Sequence, residues 1–159
     1  MATDARYAAD VVSVDAIITA MYEVVSGPAG PRDWARDRHL FHPQARLMRG
    51  LPAGSPPADP PTPGLRVMSL AGFEDHVADR LAAEDFYEIE IGREEFRFGR
   101  FVHALSAYSS HRRPEEPPFA RGINSIQLWW DGGRWWIMGL IWDWEGDGVR
   151  IPDSLARKV

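Results

Sequence analysis

From Ser13 the apolar positions recur at helical spacing: Val14, Ile17, Ile18, Met21, Tyr22 and Val25 fall on one helix face. Ser13 is placed to cap that helix, and Asp15 lies in the first turn, where the helix dipole favours a negative charge. The run Gly27-Pro28-Ala29-Gly30-Pro31 stops it. Asp33 can cap a second, short helix through Leu40, sending Trp34 and Phe41 toward a core, and Pro43 ends it by restricting His42. Ala45–Gly50 alternates and reads as a strand. Six prolines between Leu51 and Gly64 remove too many backbone donors for helix or central strand, so 51–64 is predicted to be an exposed loop. Leu65–Met68 predicts a short strand. Ser69 then caps a third helix, with Phe73, Val77 and Leu81 at i, i+4, i+8.

After Asp85 the period shifts to two. Phe86–Gly92, Glu94–Gly99, Phe101–His111, Phe119–Trp130 and Arg134–Trp144 read as strands, and Asp131-Gly132-Gly133 is a strong hairpin signal. Helices come early and strands late, which predicts an α+β fold with the helices packed on one face of a curved antiparallel sheet. One domain is expected over 13–145, preceded by a frayed segment, 1–12, and followed by an irregular tail, 146–159. The adjacent pairs Trp129-Trp130 and Trp135-Trp136 point to opposite sheet faces, and Trp142 follows. Both faces of the last hairpin therefore carry large apolar groups. A homodimer through this Trp-rich sheet would cover the face that the helices leave open.

Composition narrows the function classes. The chain has 159 residues, 45% of them apolar, a net charge of −5 and no cysteine. A thiolate metal site, a cysteine nucleophile and a disulfide scaffold are excluded. The acidic balance argues against nucleic-acid binding, which needs a basic field. No apolar run approaches the ~20 residues of a membrane span, and no secretory leader is visible. A cytoplasmic protein is the expectation.

Several segments resemble one known superfamily. They are Asp33-Trp34, Leu40-Phe41-His42-Pro43-Gln44-Ala45-Arg46-Leu47, Arg121-Gly122-Ile123-Asn124-Ser125-Ile126-Gln127-Leu128, the hairpin from Asp131 to Ile137, and Trp142-Asp143. Together they are similar to the nuclear transport factor two-like superfamily and, within it, to bacterial SnoaL-like proteins. The resemblance spans about Ser13 to Asp143. It implies a cystatin-like α+β cone, a strongly bent antiparallel sheet around helices with a pocket at its wide end, and a homodimer. The superfamily holds isomerases, cyclases, dehydratases and non-catalytic adaptors, so it implies a fold and not a reaction. Ketosteroid isomerases of this superfamily place a general-base aspartate where this chain has Ala45–Gly50, which offers Arg49 and no carboxylate. The histidine–aspartate pairing of polyketide cyclases has no clear match either. No catalytic residue is carried over.

The residues themselves offer candidates. His103 and Asp143 lie on long strands and form a possible acid–base pair; otherwise His103 faces solvent and Asp143 ends its strand on backbone groups. Tyr108, five residues after His103, should occupy the opposite face. Asn124 stands in an apolar strand, where it could orient a ligand or satisfy helix-end groups; Gln127 has the other parity. Tyr22 could present its hydroxyl to a pocket or sit in the core. Arg121 could clamp an anionic ligand or pair with Glu88 or Glu90. His39 could reach a pocket mouth; His39-x-x-His42 has ligand spacing but no third ligand nearby, so no metal site is expected. His76 and His111 are expected to face water. Two functions follow. One is a cofactor-independent isomerase, dehydratase or cyclase acting on a small apolar molecule. The other is a non-catalytic ligand-binding or dimeric interaction module.

Overall fold

The computed structural model describes residues 4–56 and 63–156. Part of the proline-rich loop, 57–62, lies outside the described residues, as do 1–3 and 157–159 of the two termini.

Three helices start where a side chain can accept their orphan N–H groups. Ser13 Oγ accepts from Ala16 N (3.0 Å) to begin α1, Val14–Val25. Asp33 Oδ1 accepts from Arg36 N (3.2 Å) to begin α2, Trp34–Leu40. Ser69 Oγ accepts from Gly72 N (3.1 Å) to begin α3, Leu70–Ala83. The strands are β1 (Phe41–Gly50), β2 (Leu65–Met68), β3 (Tyr87–Phe98), β4 (Phe101–His111), β5 (Ala120–Trp130) and β6 (Trp135–Trp144). β1 starts at Phe41, directly on the end of α2, earlier than the alternation suggested.

The six strands form one sheet in the order β2-β1-β6-β5-β4-β3. The β3–β6 meander and the β1–β2 pair are antiparallel, but β1 pairs with β6 in parallel, so the sheet is mixed and not antiparallel throughout. The helices cover its inner face. Ile17 and Ile18 of α1 bury against Leu47, Val102, Ile126, Leu128 and Ile137. A bulge at Ile91 resets the parity of β3: Glu88 and Glu90 face inward before it, Arg93 and Glu95 after it.

Two segments expected to be loose are docked. Ala5–Val11 form a 3-10 helix that buries Tyr7 and Val11, with the Tyr7 hydroxyl donating to Asp33 Oδ2 (2.8 Å). Beyond β6 the chain is irregular, yet Ile151 and Leu155 bury against Ala107 on the outer face of the sheet. Among the described residues, no helix is long and apolar enough to cross a membrane.

Candidate functional site

Between α1, α3 and the inner face of the sheet lies a cavity of about 610 Å3. Its wall is largely apolar, with Phe73 of α3 set edge-to-face on Trp142 of β6 at 5.9 Å. His76, Arg80 and Phe119 line it and are exposed, which places the mouth on their side.

A directed chain of hydrogen bonds runs behind the cavity wall and reaches the cavity at Asn124 and Glu88. Ser106 Oγ donates to Glu90 Oε2 (2.5 Å), so its oxygen is left to accept, and the Tyr22 hydroxyl donates to it (2.7 Å). Tyr22 in turn accepts from Asn124 Nδ2 (3.0 Å), and the second proton of that amide reaches Glu88 Oε1 (3.3 Å). These bonds fix the orientation of the Asn124 amide. Glu90 is balanced by Arg93 at 3.2 Å, which also pairs with Asp15 of α1. Among the described residues, Glu88 has no such cation. Enclosed by protein yet open to the cavity interior, its carboxyl is pushed up to about 7 by burial, against the opposing Asn124 hydrogen bond.

Tyr108 stands beside Glu88 on the cavity wall, and its hydroxyl has no hydrogen-bond partner among the described residues. Burial, and then the carboxylates of Glu88 and Asp143, raise its pKa, so it remains a donor. Its room comes from Gly122 opposite it on β5. A Cβ there would lie 2.5 Å from the Tyr108 hydroxyl oxygen and 2.2 Å from the Asp143 carbonyl oxygen. On the β1 side, Arg49 lies over the Trp144 ring at 5.0 Å and donates from Nη1 to His76 Nε2 (3.1 Å). That bond makes Nε2 an acceptor and His76 neutral. Asp37 of α2 also lines the cavity. Its Oδ2 finds no partner among the described residues, and burial followed by the nearby Glu74 carboxylate pushes it up to about 7.

No family profile matches the sequence, and no curated protein does. Solved structures do match. An NTF-2-like protein of unknown function from Silicibacter pomeroyi superposes with a TM-score of 0.58 at 14% identity, covering 91% of this chain and all of its own. A Nostoc punctiforme protein of unknown function with a cystatin-like fold gives 0.61 at 8% identity, covering 92% and 97%. The fold is NTF2-like. An NTF2-like protein of unknown function from Methylobacillus flagellatus adds a third match, 0.52 at 15% identity over 85% and 96%.

Within the NTF2-like cone the six sequence candidates separate. Asn124 lines the cavity, and Tyr22 stands directly behind it in the same network. The other four lie elsewhere. His103 faces the outer side of the sheet, where Nε2 meets Ser125 Oγ at 2.9 Å; Val102 and Ala104 take the inner positions. Asp143 is exposed on the outer side, between the inward Trp142 and Trp144, and accepts from Trp144 N (2.9 Å). Arg121 has outward parity and pairs with Glu145 (3.6 Å), not with Glu88 or Glu90. His39 is buried away from the cavity beside Arg134, whose Nη1 lies 3.2 Å from its Nε2 and whose Nη2 donates to its carbonyl oxygen. Arg134 thereby satisfies the C-terminal end of α2, so His39 serves structure. His111 does not face water either: it is buried, bonded to Ser109 Oγ and the Glu116 carbonyl oxygen. Among the described residues, no group of three or more acidic or histidine side chains is placed to hold a metal ion.

Proposed function

We propose that this chain is an acid–base enzyme that moves a proton on a small, largely apolar molecule held in the cone, in an isomerisation, dehydration or cyclisation carried by side chains without a cofactor. One observation carries the reading: Glu88 reaches the cavity, has no cation beside it among the described residues, and is pushed by burial to about 7. A carboxyl so tuned can take a proton from substrate and return it at neutral pH. Asn124 holds Oε1, while Oε2 accepts nothing among the described residues. The Tyr108 hydroxyl is the donor for a substrate oxygen on which charge builds. His103 and Asp143, which face the outer side of the sheet, take no part in this reading.

Deuterium exchange tests this. Small ketones, hydroxylated aromatics, terpenoids and polyketide-like compounds are incubated with the protein in D2O and followed by NMR. At least one class should exchange a C–H proton. The rate should fall on the order of 100-fold to 10,000-fold in Glu88→Gln while binding persists. Binding without exchange in the unsubstituted protein would leave a ligand-binding module.

The outer face supports a second reading, about assembly. Phe96, Phe98, Phe101 and Trp129 are exposed there; the Phe98 and Phe101 rings sit 5.9 Å apart, and Phe101 pairs with Trp129. We propose that a second copy covers this face about a twofold axis. Light scattering after size exclusion should give a dimer mass, reduced to the monomer in Trp129→Glu. A monomer before substitution would refute it.

A further inference from the structure

The pole of the cavity opposite Glu88 points to the class of molecule it takes. Arg49 of β1 and Arg66 of β2 are paired directly across the antiparallel ladder. They share the inner face with Leu47 and Met68, one step along the same two strands. Like charges in that position repel and weaken the pairing. The chain carries 23 acidic against 18 basic side chains, so acids are not scarce. Even so, neither arginine pairs with a carboxylate among the described residues, and the Nε of each is buried without a partner. The neighbours supply no compensation. His76 faces Arg49 from α3 as a neutral acceptor, Trp144 lies beneath the guanidinium, and Tyr108 keeps its proton. Arg80 adds a third cation near the mouth, partly answered by Glu84 at 3.6 Å. Half-buried cations are costly unless paired, and Arg49 of this pair lines the cavity with Arg66 beside it on the neighbouring strand.

We infer that the cavity takes a small apolar molecule bearing a carboxylate. The carboxylate sits against Arg49, with Arg66 behind it, and the apolar body runs along Phe73 and Trp142 toward Glu88. A guanidinium fork matches the planar geometry of a carboxylate, and an aromatic wall suits the remainder. The inference rests on the cavity being a small-molecule site, as proposed above, but not on the proton chemistry at Glu88.

Matched pairs of probes test it: cinnamate against cinnamamide, and indole-3-acetate against indole-3-acetamide, with phenyl phosphate as a third anion. Binding is read by quenching of tryptophan fluorescence at two salt concentrations. Each acid should bind at least about 10-fold tighter than its amide, the size of one charge-assisted hydrogen bond. The preference should shrink at higher salt, vanish in Arg49→Met and weaken in Arg66→Met. Thermal unfolding of unliganded Arg49→Met checks folding, and its midpoint should equal or exceed that of the unsubstituted protein because a repulsion has gone. Amides that bind as tightly as acids, an acid preference that survives Arg49→Met, or no binding by any probe at millimolar concentration would overturn the inference. Phenyl phosphate binding tighter than both acids would overturn the choice of a carboxylate. In Glu88→Gln the acid preference should persist. Acid preference without proton exchange would leave this inference standing and remove the proposed reaction. Exchange on neutral ketones without acid preference would do the reverse.

Discussion

Glu88 concentrates the chemistry of this cavity into one titration. Because its carboxyl is raised to about 7, the native state holds a proton that the unfolded chain releases near its ordinary value of 4.5. Stability contributed by that proton is present below pH 4.5 and is lost as the pH rises to about 7. Glu88→Gln removes the titration. From pH 4.5 to 8 the variant should therefore gain on the unsubstituted protein by on the order of 3 kcal/mol, measured by urea unfolding at each pH. Asp37 titrates alike in both proteins and cancels. Nothing in the sequence marked Glu88. Tyr87-Glu-Ile-Glu-Ile alternates like a strand with one solvated face, and only the helix packed over it shows that the glutamates point inward. Asn124 was legible, because a lone amide among Ile126 and Leu128 has few reasons to face the core. His103 and Tyr108 were correctly given opposite faces, but parity alone does not say which is inner. The docked tail buries part of the outer face of β4 as well, so its apolar pattern carries no contrast.

At the scale of elements, the caps made the helices readable: Ser13, Asp33 and Ser69 each stand where a side-chain oxygen meets an orphan N–H. The strands Leu65–Met68 and Phe101–His111 were readable from alternation and their flanking turns. The bulge in β3 and the docked tail were not, since both depend on contacts remote in sequence. Gly92, beside the bulge, connects the two. A Cβ there would lie 1.6 Å from the Leu155 carbonyl oxygen, a backbone atom that only movement of the tail can remove. Gly92→Ala should therefore release Ile151 and Leu155, cost about 1–3 kcal/mol in thermal unfolding, and speed tryptic cleavage after Arg150.

The whole molecule is one mixed sheet wrapped on helices, and its seam has a kinetic meaning. The β3–β6 meander is built from hairpins between neighbours in the chain, whereas β1 joins β6 through partners about ninety positions apart, such as Arg46 and Gly139. Closing so long a loop comes late in folding, because its entropy is spent before the contacts return anything. The same seam is then the first to part in the native state. Amides of Leu47–Arg49 should exchange with deuterium sooner than those of Val102–Ser106 at the centre of the meander, as mass spectrometry of peptic fragments would show. Arg49 and Trp142 meet across that seam, so the joint where the cone opens is also a wall of its cavity. A tightly bound occupant would act as a clasp, and its departure would be timed by the breathing of β1 and not only by the strength of its own contacts.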